Sequence, residues 1–193
     1  MKLLNEMRFF REKGKLPKQV FEHCAEVADV LDWGIVNEDE NPEREKVVEL
    51  IKNNCFIKND YETFIESIRQ NKRTSFLSQY TIEDFKNRNV ETYQLQGYPI
   101  GYALIPSADG KDKDIVSVHN NSNVRNIGNE LIQSAIANGG TTLDHFDGFL
   151  SNLYQDNGFE EYQRFSWDDN YAPTNWDYEK YGRPDVIYRR LRK

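Results

Sequence analysis

Val118-His119-Asn120-Asn121-Ser122-Asn123-Val124-Arg125-Asn126-Ile127-Gly128-Asn129-Glu130-Leu131-Ile132 decides the fold, because it reads as a strand end, a polar turn and a helix start in succession. The run Ile115 to Val118 is short and β-branched, with charged residues from Lys111 to Asp114 before it and Asn and Ser after it, which predicts a buried strand. From Ile127 the apolar positions are Ile127, Leu131, Ile132, Ala135 and Ile136. They are spaced for one face of a helix that stops at Asn138-Gly139-Gly140. The first turn of such a helix carries unpaired N–H groups and the positive end of the helix dipole, a ready seat for a diphosphate.

The same residues resemble the acetyl-CoA turn of the GNAT acetyltransferases, Val-x-Pro-x-x-Arg/Gln-x-x-Gly-x-Gly/Ala entering a helix, with Val118 and Gly128 in register. A second block, Asn152-Leu153-Tyr154-Gln155-Asp156-Asn157-Gly158-Phe159-Glu160-Glu161, resembles the family's helix ending in Tyr-x-x-x-Gly-Phe and the strand that follows it. The likeness runs from about Thr74 to Arg192, with Val90 to Pro106 as the hairpin before the cofactor strand. It extends to acetyltransferase-like proteins of phages and prophages through Val118 to Ser122 and Leu143 to Gly148. The chain also departs from the pattern. Asn123 stands at the family's Arg/Gln and Asn126 at its first Gly, leaving only Gly128 of the glycine pair. Asn tolerates left-handed backbone better than most residues, so the turn is expected to survive in weakened form.

The resemblance implies an α+β (α/β-like) GNAT fold, a mixed central sheet flanked by helices and preceded by an N-terminal helical segment, with acetyl-CoA as cofactor. It also implies roles. Main chain near Val118 and His119 holds the thioester carbonyl, and Val124, Arg125, Asn126, Ile127, Gly128, Asn129 and Glu130 form the diphosphate turn. Tyr154 gives a proton to the departing thiolate, and a phenol with an ordinary pKa of about 10 suits that task.

For a general base the sequence offers His119, His145, Asp144 and Asp147, or a water chain, and does not choose among them. Asp147 before Gly148 reads as a turn signal. Alternation puts His119 on the opposite sheet face from Val118.

The 193 residues suit one domain plus a small appendage. With 38% hydrophobic residues but 13% aromatic ones, large rings must supply much of the core. The net charge of −7 argues against a nucleic-acid binder and mildly favours a cationic amine or basic protein as acceptor. Arg183, Arg189, Arg190, Arg192 and Lys193 read as a solvated basic tail strand. Cys24 and Cys55 lack the close partners of a metal or redox site and read as buried thiols. His23, His119 and His145 are scattered, so no metal is expected. No apolar run is long enough for a membrane span and the start lacks a signal core, so a cytoplasmic location is expected, host cytoplasm if phage-encoded.

Residues 1–72 read as a helical segment and 73–193 as the acetyltransferase-like domain. Within the segment, Pro17, Pro42 and Asp60 start helices, with an acidic link from Asn37 to Asn41. Beyond it come Ser75 to Gln79, a capped Thr81 to Lys86, and strands at Thr92 to Gln96 and Ile100 to Ile105 about a Gly97-Tyr98-Pro99 turn. The rest reads as strands Thr142 to Phe146, Glu161 to Trp167 and Asp185 to Leu191, with a helix from Phe149 to Gln155. The long aromatic and acidic connection from Asp168 to Pro184 reads either as a wall of an acceptor pocket or as a cover for a sheet face. Two functions stay open. One is an acyl-CoA-dependent N-acyltransferase acting on a small-molecule amine or a protein. The other is an inactive scaffold that docks a protein through its N-terminal helices.

Overall fold

The computed structural model describes residues 42–70, 77, 80–173 and 176–192, apart from the Phe149 side chain. The helix read from Pro17, the acidic link, Cys24 and, Leu77 excepted, the strand read at 75–79 lie outside the described residues.

Pro42 opens α1 (Pro42–Lys52), which has Glu43 and Glu45 in its first turn and buries Val47, Val48 and Ile51. β1 (Phe56–Lys58) follows. Asp60 caps α2 (Tyr61–Arg69) by accepting the Thr63 N–H at 3.1 Å, and α2 turns Phe64, Ile65 and Ile68 inward. Thr81 and Asp84 form a capping box that starts α3 (Ile82–Asn87). β2 (Glu91–Leu95) and β3 (Ile100–Pro106) are joined through Gly97, whose φ of +79° is easily adopted without a Cβ. Then come β4 (Lys113–Asn120), α4 (Gly128–Ala137), β5 (Thr142–Phe146), α5 (Phe149–Asp156), β6 (Phe159–Phe165), α6 (Tyr178–Tyr181) and β7 (Val186–Leu191).

The strands form one seven-stranded sheet in the order β1-β2-β3-β4-β5-β7-β6, antiparallel at every pairing except β4 with β5. One face carries Tyr93, Leu95, Tyr102, Leu104, Ile115 and Leu143 against Val47 and Ile51 of α1 and Leu131, Ile132 and Ala135 of α4. The other carries Ala103 and Ile105 against Phe64, Ile65 and Ile68 of α2 and Phe85 of α3. Each fully buried Leu, Ile or Phe here contributes about 1.5–3 kcal/mol of transfer free energy.

The α+β class with a mixed sheet flanked by helices, read from the sequence, is the one observed. The described residues from Pro42 onward form one compact unit. Residues 42–52, 56–58 and 61–69, from the stretch read above as a helical segment, pack on the sheet: α1 and α2 lie on its two faces and β1 pairs with β2.

Candidate active site

β4 and β5 are the two central parallel strands, and they pair at a single register position, Asp114 with Thr142. The Thr141 N–H to Lys113 carbonyl bond of 2.9 Å and the Thr142 hydroxyl on Asp114 at 3.0 Å hold that end together. Beyond it β4 continues to Asn120 and β5 to Phe146 with no further pairing, so the strands part. A bulge accompanies the separation. Gly101 pairs with His119 and Ala103 with Val116, so Tyr102 faces two residues, of which Ser117 has a φ of +52°.

The turn leaving β4 is built by its own side chains. Asn120 donates to the Val124 carbonyl at 2.6 Å and accepts from the Ser122 N–H and hydroxyl, and the Ser122 hydroxyl accepts the Val124 N–H at 3.1 Å. Asn126 has a φ of +57°, a left-handed conformation that glycine takes without strain and Asn tolerates better than most residues. Val124 and Ile127 point into the core. The helix then starts at Gly128 with Ile127 as N-cap and no side-chain cap, so no side chain caps the amides of its first turn. Leu153 of α5 lies 3.5 Å from where a Gly128 Cβ would stand.

Arg44 of α1 reaches this mouth. Its Nη2 and Nε donate to the Asn126 carbonyl at 2.8 and 3.2 Å, and Nη2 donates to Glu130 Oε1 at 3.1 Å. The other Glu130 oxygen is buried without a hydrogen-bond partner among the described residues.

The two candidate histidines are both fully engaged. His119 lies under α2, edge-on to Phe64, with Nδ1 3.0 Å from the Ser117 carbonyl and Nε2 2.9 Å from the Ser67 hydroxyl. A carbonyl can only accept, so Nδ1 carries the proton and Nε2 accepts from Ser67. Burial pushes this imidazole down to about 4. His145 donates from Nδ1 to the Phe146 carbonyl at 2.7 Å and accepts at Nε2 from Arg189 Nε at 2.9 Å, and burial lowers its pKa as well. Neither ring offers a lone pair to an incoming proton. Arg189, expected in a solvated tail, is instead buried, spanning His145 and the Phe159 carbonyl. Cys55 is half-buried rather than buried.

Tyr154 sits on α5 with its ring 5.0 Å from His145 and 6.2 Å from Phe159, while Arg189 bonds to both of those neighbours. Its hydroxyl has no hydrogen bond among the described residues. Burial, and secondarily the Asp144 carboxylate, raise its pKa, so the phenol keeps its proton at neutral pH.

On the sheet face away from α4, Asp144 of β5 keeps solvent contact and pairs across the ladder with Tyr188. Partial desolvation, reinforced by the Asp114 carboxylate, raises its pKa. Asp147 is tied to Arg164 at 2.6 Å and to the Ser151 hydroxyl at 2.9 Å, a turn residue as read. Trp176 ties the described part of the 168–184 connection to the ends of β5 and β6 and to the connection's own later residues. Trp176 contacts Phe146 at 4.8 Å, Trp167 at 4.9 Å and Tyr181 at 5.3 Å, and its indole donates to the Gly182 carbonyl at 2.9 Å. Its anchor, Phe146, is the last residue of β5, on the open side of the gap. Arg44 and Ser67 escaped the sequence reading, and Arg189 was misplaced by it, because each acts through a contact distant along the chain.

No family profile and no curated protein matches the sequence. Solved structures similar to it include N-acetylglutamate synthase from Neisseria gonorrhoeae complexed with coenzyme A and N-acetyl-glutamate, at 18% identity and a TM-score of 0.43, covering 72% of this chain and 34% of that one. This chain therefore spans about a third of that synthase. Others are a protein assigned as a phosphinothricin N-acetyltransferase, at 15% identity and 0.40 over 80% and 96% of the two chains, and a Bacillus subtilis acetyltransferase in complex with CoA, at 12% and 0.43 over 81% and 95%.

Proposed function

We propose that the protein is an acyl-CoA-dependent N-acyltransferase, and the parting of β4 from β5 beside the uncapped start of α4 is the observation that carries this reading. The amides of Asn126 to Glu130 would hold the diphosphate of acetyl-CoA, and main chain at Val118 and His119, beside the gap between β4 and β5, would polarise the thioester carbonyl. CoA supplies an activated acyl group. The chain's residues orient it and move protons.

Tyr154 holds the proton for the departing thiolate. Asp144 takes the place the histidines cannot fill: its raised pKa and solvent contact suit it to accept the amine's proton through water. With Tyr188 and Tyr162 alongside, that acidic and aromatic face favours a cationic amine, small or on a protein. A phage or prophage origin and a cytoplasmic site of action belong to the same reading. Glu130 in the mouth favours the alternative of an inactive protein-docking scaffold, because its charge opposes a diphosphate.

Thermal unfolding with acetyl-CoA, followed by thiol release with a panel of amines, tests the reading. The wild-type protein is expected to be stabilised and to release thiol. Absence of any shift at millimolar acetyl-CoA would favour the scaffold.

A further inference from the structure

The strongest feature outside the sequence-derived turn is the cation that α1 brings to it. We infer that Arg44 is the charge-setting residue of the diphosphate site: it neutralises Glu130 and passes its N–H groups to the diphosphate when one binds. This rests on the acyl-CoA reading and deepens it.

The argument is one of charge at a defined place. A helix N-terminus carries roughly half a positive charge. Glu130, the third residue of α4, puts a full negative charge in that first turn, and one of its oxygens is buried without a hydrogen-bond partner among the described residues. Helix and carboxylate alone leave the mouth net negative, which repels an anion. Arg44, hydrogen-bonded to both the Asn126 carbonyl and Glu130, reverses the sign. Arg125 stands in the turn itself, and Arg44 bonds to the carboxylate.

The placement is built into the fold. Val47, Val48 and Ile51 anchor α1 in the same core as Leu131, Ile132 and Ala135 of α4, so the two helices hold Arg44 and the turn in register. A planar guanidinium suits paired phosphate oxygens, and a diphosphate, with more charge and more acceptor oxygens, competes for it with the single half-buried carboxylate of Glu130.

The test measures binding of CoA and, separately, of inorganic pyrophosphate by calorimetry. The proteins are wild type, Arg44→Gln, Glu130→Gln and the double variant, each checked for folding by its unliganded melting temperature. Arg44→Gln keeps a donor for Asn126 and removes the charge. It is expected to weaken both ligands by about tenfold to a hundredfold. Glu130→Gln alone is expected to tighten both, and in the double variant to recover part of the loss. Equal CoA affinity in wild type and Arg44→Gln, or weaker binding by Glu130→Gln, overturns the inference and leaves the acyl-CoA reading standing. Pyrophosphate binding that depends on Arg44, without CoA binding, sinks the acyl-CoA reading and keeps the inference. Binding of neither ligand by wild type removes both.

Discussion

Acidification is expected to unfold this protein partly through His119. Buried beneath Phe64, with Nε2 occupied by the Ser67 hydroxyl and Nδ1 by the Ser117 carbonyl, its imidazole is held neutral down to about pH 4. In the unfolded chain the ring titrates near 6.5. Above 6.5 both states are neutral and the group has no effect. Between 6.5 and 4 the unfolded chain takes up a proton that the folded protein refuses, so stability falls as pH falls. The separation is worth about 3 kcal/mol, fully lost below about pH 4. His145 is lowered for the same reason, and the ion-paired carboxylates lose stability further down, so the contrast with a His119→Gln variant is what isolates the effect. Urea unfolding at pH 7 and pH 4.5 should show the wild type losing about 2–3 kcal/mol more than the variant. Parallel losses in the two proteins would refute the reasoning.

Gly101→Ala should destabilise by about 1–3 kcal/mol, because its Cβ would stand 2.4 Å from the Tyr93 carbonyl and 3.2 Å from the His119 ring; an unchanged melting temperature argues against that packing. Trp176→Ala should loosen the 168–184 connection, giving early proteolytic cleavage there while the sheet's circular dichroism persists. Cleavage no faster than in wild type would show that the indole does not hold it. Tyr154→Phe should keep acetyl-CoA binding while thiol release with an amine slows by about a hundredfold or more; equal turnover rejects Tyr154 as the acid.

Where local chemistry fixes local structure, the sequence is readable. The caps at Asp60 and Thr81, the turn at Gly97 and the bounds of β5 follow from neighbouring residues, and Asn126 takes the left-handed backbone that its place in the turn requires. β1 escaped because three residues show no period, and only pairing with β2 makes them a strand. The histidines looked chemical because their partners come from distant elements, Ser67 on α2 and Arg189 on β7. Nothing in the neighbouring sequence marks Arg44, and only the approach of α1 to α4 brings it to Asn126 and Glu130.

The most direct test follows backbone amide resonances while CoA is titrated into the protein. The account predicts saturable shifts, largest at Gly128, Asn129 and Glu130, accompanied by residues of β4 and β5 beyond Asp114 and Thr142. Saturation with those amides unmoved, or shifts confined to another face of the sheet, would contradict it.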